Sequence, residues 1–172
     1  MLKILGSILV IAATTLYGIR RAESLKEQYV QMEYVRQIFS KVQSEIRYAR
    51  NPLGDIFSYI GRDAREPYKT WLQELGKAMG RRDGGAFPEI WEKSIADNLR
   101  TCALPKAELC RLEELGGRLG LIDIEMQVKT LELYLEQLTE AMKEVRDGMR
   151  TKVRLCHCLG VMGGMFIVIL LF

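Results

Sequence analysis

Histidine is nearly absent from this chain of 172 residues: there is one. That limits both metal ligation and proton transfer near neutral pH, for which imidazole is the usual group. Four cysteines are too few for a disulfide scaffold. No sustained alternation of polar and apolar residues exists, so no strand is expected. Excess charge is missing too. The 25 basic and 22 acidic side chains leave a net +3, which does not by itself point to nucleic acid. No Gly-x-x-x-x-Gly-Lys-Ser/Thr loop occurs, and no Ser or Cys stands in a motif with a recognisable base. No enzyme and no cofactor are therefore expected. What is abundant is apolar: 48% of residues, against 27% charged, the balance of a packed chain of about one domain.

The charges are unevenly placed. Residues 4–19 carry none, and 155–172 carry only His157. The stretch from Arg20 to Arg154 holds 24 of the 25 basic groups and all 22 acidic ones. Each apolar end, 2–19 and 155–172, is 18 residues long. Each would span ~27 Å as a helix, close to the ~30 Å of a bilayer's hydrocarbon core. A cleaved signal peptide shares the Lys3 and the apolar run of the first segment. No good small-x-small site precedes a polar start, however, and Arg20-Arg21 follows at once, so a retained helix is expected. The closing Ile167-Val168-Ile169-Leu170-Leu171-Phe172 reads as a second span rather than a core helix. Basic residues flank the middle side of both: Arg20, Arg21 and Lys26 after the first, and Lys143, Arg146, Arg150, Lys152 and Arg154 before the second. The middle is therefore expected to be cytoplasmic, where Cys102 and Cys110 would remain thiols.

Within the middle the period is helical. Met32, Val35, Phe39, Val42, Ile46 and Ala49 follow steps of 3 and 4 up to Asn51-Pro52, close to a coiled-coil heptad. Ile124, Val128, Leu131, Leu135, Leu138, Met142, Val145 and Met149 repeat the pattern, with Asp123 as a candidate N-cap. The four prolines, Pro52, Pro67, Pro88 and Pro105, each open a short helix in between. Trp71 and Trp91 sit on the apolar faces of two of these and should be at least partly buried. The expectation is all-α: a bundle of about six helices over 20–154. Two long outer helices, their stripes facing each other, would continue into transmembrane segments at 2–19 and 155–172.

The order of several short motifs resembles a known family. Lys3-Ile4-Leu5-Gly6-Ser7-Ile8-Leu9 with Thr14-Thr15-Leu16-Tyr17-Gly18 opens the match. Ser44-Glu45-Ile46-Arg47-Tyr48 before Asn51-Pro52-Leu53 continues it. Leu115-Gly116-Gly117-Arg118-Leu119-Gly120 with Asp123 and Gln127, and the tail Leu159-Gly160-Val161-Met162-Gly163-Gly164, complete it. Together they resemble the stage III sporulation protein AB family of endospore-forming bacteria. One departure is Ala49-Arg50, where a glycine usually follows the tyrosine. The family is similar to the cytoplasmic helical domain of the type II secretion inner-membrane F protein. The resemblance implies a subunit of a secretion-like complex between mother cell and forespore, in the mother-cell membrane around the forespore. Its implied partners are other stage III sporulation membrane proteins, with the ATPase of the complex as a further candidate, and the lipid bilayer.

Few residues invite a site. Cys156-His157-Cys158 has ligand chemistry, but three consecutive helical residues cannot converge on one tetrahedral ion, so no metal is expected. Gly160 and Gly164 form a small-xxx-small face on which another helix could pack closely, from this chain, a second copy or a partner. Arg81-Arg82-Asp83-Gly84-Gly85 reads as a solvated loop. Gly116, Gly117 and Gly120 read as a helix stop and sharp turn, and carboxylates such as Asp97, Glu113 and Glu114 as wet. The expected function is a structural membrane component that docks other subunits. A membrane-tethered adaptor or regulator outside any channel complex is the alternative.

Overall fold

Pro52 and Pro105 each stand immediately before a helix, at φ −56° and ψ 141°, with no helical N–H to lose. Their carbonyls accept the first bonds of the turns that follow: Ile56 N–H donates to Pro52 O at 3.1 Å and Leu109 N–H to Pro105 O at 3.0 Å. Pro67, after a cis Glu66–Pro67 bond, precedes a third helix, whose first turn is capped by Glu66 accepting from Thr70 N–H at 3.2 Å. Pro88 lies inside the first turn of a fourth, which starts one residue earlier than the proline suggests.

In this computed structural model the backbone is described over 2–49, 51–81, 85–120 and 123–171, and side chains at Arg20 and over 23–49, 51–81, 85–120 and 123–149. Six helices follow in order: α1 (Leu2–Tyr48), α2 (Leu53–Arg62), α3 (Tyr68–Gly80), α4 (Phe87–Asn98), α5 (Lys106–Leu119) and α6 (Ile124–Leu171). No strand occurs among the described residues. The fold is all-α, with two long helices enclosing four short ones, as the periodicity implied. Among the described residues no helix is long and apolar enough to cross a membrane. The segments expected to do so, 2–19 and 155–172, lie where side chains are not described.

The chain forms two compact units: one holds the segments up to Val30 and from Met142, the other Gln31–Ala141. In the second, α1 buries Met32, Val35, Ile38, Phe39, Val42 and Ile46. Ala49, the last member of the expected stripe, is exposed. Its N–H still donates to Glu45 O at 2.9 Å, so the turn there needs no glycine. On α6 the buried line is Leu131, Tyr134 and Leu138, whereas Ile124 is 42% exposed. The heptad overextended that stripe at its start, where Ile124 lies at the surface. α1 and α6 run antiparallel through this unit. The rings of Phe39 and Tyr134 meet edge to face at 5.2 Å, and Arg47 near the end of α1 pairs with Glu132 early in α6.

The centre is aromatic. Trp71 and Trp91, both fully buried as expected, meet edge to face at 5.5 Å. Phe39 approaches both, and Phe57 stacks at 5.7 Å from Trp91. Such tilted pairs add to what area burial alone supplies. Trp91 Nε1–H donates to Leu112 O at 2.8 Å, satisfying the indole inside the core.

The glycines of α5 correct the expected turn. Gly116 and Gly117 are inside the helix, which runs on to Leu119. A Cβ at Gly116 would stand 2.7 Å from Trp91 Nε1 and closer still to Cδ1, so the missing side chain makes room for the indole. Gly120 does end α5, but at φ −78°, in the ordinary right-handed region. A Cβ there would lie 2.9 Å from Phe87 Cβ. Close approach rather than a left-handed turn is what these positions require. Asp123 caps α6 as anticipated, accepting from Met126 N–H at 2.9 Å. Gln127 Nε2–H then reaches back to Leu119 O at 2.9 Å, tying the end of α5 to the start of α6.

Candidate interaction surface

The sequence-derived candidates fall mostly outside the described side chains. Gly160, Gly164 and Cys156-His157-Cys158 lie on the helical backbone of α6, in the stretch whose side chains are not described. Arg81 and Gly85 are exposed and non-helical, and residues 82–84 between them are not described. Cys102 and Cys110 are free thiols. Among the described residues no group of three or more His, Cys, Asp or Glu could hold a metal ion.

What the bundle does offer is a pair of open grooves on either side of the last turns of α1. The first, about 300 Å³, lies between α1 and α2. Gln37, Lys41, Ser44 and Glu45 line it from α1; Tyr59, Ile60 and Asp63 line it from α2 and its end. One end is fixed by Tyr34, whose Oη accepts from Arg65 N–H at 2.7 Å while the Arg65 guanidinium stands over the ring at 5.4 Å. The Tyr34 ring also leans on buried Tyr68 at 5.3 Å. Tyr59, by contrast, is 59% exposed.

The second groove, about 380 Å³, runs between the end of α1 and the start of α6. Arg47, Ile124, Val128 and Lys129 line it, with the Arg47–Glu132 pair across it. Tyr48, next to Arg47 and one turn beyond Ser44, is 79% exposed. Met126 and Leu133 expose about half of their surface further along α6. Tyr59, Tyr48, Met126 and Leu133 thus leave apolar surface exposed among mixed charges.

The interior holds one group that sequence reasoning missed. Glu108, taken with the other carboxylates as wet, is 3% exposed. Its Oε1 accepts from Arg111 Nη1–H at 2.6 Å, which offsets part of the cost of burying the charge. The signal was present: Glu108, Leu112, Leu115 and Leu119 step by 4, 3 and 4, placing the carboxylate on the apolar face. Burial, and then the nearby Glu108, pushes the Tyr134 phenol above its usual range. Burial, and then Cys102, does the same for Tyr68, whose hydroxyl donates to Gln31 Oε1 at 2.8 Å. At the surface, the hydrogen bond from Arg36 is the main cause holding Glu33 below the usual carboxylate range, against desolvation.

The comparisons with known proteins bear on the whole chain. Residues 3–172 match the family model of stage III sporulation protein AB. The chain is 26% identical over 171 residues to the stage III sporulation protein AB of Bacillus subtilis (strain 168), covering 99% of each. A solved structure of a stage III sporulation protein AB superposes with a TM-score of 0.65 at 23% identity, over 72% of this chain and 97% of that one. It shares the fold. Spanning nearly the full length in sequence, the match places this chain in the stage III sporulation protein AB family, with a role in sporulation.

Proposed function

We propose that the chain is a non-enzymatic structural membrane component of a secretion-system-like complex between mother cell and forespore. Its bundle is the platform on which other subunits dock. The observation that carries this reading is the continuity of α1 and α6. At 47 and 48 residues, each runs unbroken between the bundle and an apolar end. Both helices thus join the bundle to the apolar ends without an intervening loop, which suits a part anchored at those ends. In this reading 2–19 and 155–172 span the mother-cell membrane around the forespore. The bundle lies in the cytoplasm, on the basic side of both spans. The grooves beside α1 then face protein partners: other stage III sporulation membrane proteins and the complex ATPase. A likeness of the bundle to the cytoplasmic domain of the type II secretion F protein is part of the same proposal.

The test is a crosslinked pull-down of the full chain from membranes of sporulating cells. Recovery of other stage III membrane proteins is expected. Recovery of the chain from membranes without companions would favour a tethered adaptor. Extraction of the chain by alkaline carbonate would remove the membrane reading altogether.

A further inference from the structure

The charges on α6 are sorted along its length more sharply than an orientation signal requires. Asp147 is its last carboxylate; from Gly148 onward the ionisable side chains are Arg150, Lys152, Arg154, the cysteines and His157. α6 remains helical without a break from Ile124 to Leu171, so its register holds through this stretch. Arg146, Arg150 and Arg154 follow at steps of four. Each step turns only ~40° around the axis, so the three stand on one face over ~12 Å. The apolar run begins at the next residue, Leu155. Lys143 heads the same stripe beside Glu140 and Asp147 and already has a partner. The corresponding stretch of α1 differs: Arg20, Arg21 and Lys26 are interleaved with Glu23 and Glu27. Orientation would be served by basic residues on any face of either helix. A one-sided row of arginines ending at an apolar boundary fits something narrower. Guanidinium groups bind phosphate through paired hydrogen bonds. In the membrane reading Arg150, Lys152 and Arg154 lie within about one Debye length of the headgroups, ~8 Å at physiological salt.

We infer that the basic end of α6, the Arg146–Arg150–Arg154 face with Lys152 about half a turn round the helix from it, is a binding surface for anionic phospholipid headgroups that gathers them around the second apolar segment. The inference rests on the proposal that 155–172 spans the membrane. An anionic leaflet attracts basic residues at its surface by roughly fivefold each, so the acid-free stretch selects the lipid and the mixed stretch of α1 does not.

The full chain in bilayers, with spin-labelled phosphatidylglycerol or phosphatidylcholine as the probe, tests this. Electron paramagnetic resonance measures the fraction of each lipid held at the protein surface. The expected result is a preference for phosphatidylglycerol of at least about fivefold, lost in high salt. The combined variant R146Q/R150Q/K152Q/R154Q should lose it too. A control neutralising Arg62, Lys77, Lys93 and Arg100, all exposed in the helices and loops of the bundle, should keep it. Equal association of both lipids with the unmodified chain, or an unchanged preference in the quadruple variant, overturns the inference while leaving the span intact. Absence of any held fraction for either lipid removes the span, and the inference with it.

Discussion

The indole of Trp91 is seated against the backbone of Gly116, and its N–H is held by the carbonyl of Leu112 one turn earlier on the same helix. α4 and α5 are joined through this notch. Gly117, the next residue, has nothing within 4 Å of a Cβ. The adjacent glycines should therefore respond oppositely to one methyl group. Gly117→Ala should stabilise by up to ~1 kcal/mol, because alanine is the better helix former. Gly116→Ala should destabilise by a net ~1–3 kcal/mol, because overpacking against the indole outweighs that gain. Urea unfolding of the two variants checks this; equal midpoints would mean the notch can widen freely.

Residues 22–153, made without their apolar ends, should fold as a soluble helical bundle. In that domain Trp91→Ala should cost ~3–5 kcal/mol, a large share of a typical ~5–15 kcal/mol. Trp91→Phe should cost less, since most of the ring volume stays. Thermal melts followed by circular dichroism measure both, and an alanine variant that melts like the parent contradicts the burial of Trp91.

Tyr68 and Tyr134 hold their protons more tightly in the folded chain than in the unfolded one, chiefly through burial. The unfolded chain therefore loses these protons first as pH rises past ~10. Their contribution is complete below that pH and declines above it, so stability should fall progressively in alkali. Phenolate absorbance of the folded 22–153 domain should lack two of its six tyrosines. It should reach full amplitude only on unfolding. Full amplitude in the native state would show that both rings are accessible.

A reporter inserted between Arg81 and Gly85 should be active only in a cytoplasmic form. Both flanking residues are exposed and lie between α3 and α4, so an insertion there should leave the helices intact. Activity of an export-dependent reporter would reverse the proposed topology.

Gly164→Leu should reduce co-purification of partner subunits and spore yield without lowering protein level. Leucine inserts into a bilayer at least as readily as glycine, while its side chain would separate helices packed through Gly160 and Gly164. Normal sporulation with intact co-purification would leave the assembly contacts to the bundle.

Features legible in the sequence were those whose cause is local. Proline before a helix needs no distant partner, so Pro52, Pro67 and Pro105 mark their helix starts directly. Asp123 caps α6 with its own side chain. The 3–4 period of Met32 through Ile46 reports one buried helix face, and that face is the one buried. The family, too, could be recognised from the order of short motifs along the chain.

Contacts between segments distant in sequence decided the rest. Gly116 and Gly120 carry no local mark that separates a turn from a notch; Trp91 and Phe87, over twenty residues away, make that difference. The spacing of Glu108 puts it on the apolar face of α5, but only the packing of that face encloses its carboxylate. The two grooves exist only because α2 and α6 come to lie on either side of the end of α1. Helix formation depends on dihedral preferences and hydrogen bonds within a few residues, which the sequence encodes in place. Burial and concavity depend on which helix arrives opposite, and that follows from the packing of the whole core.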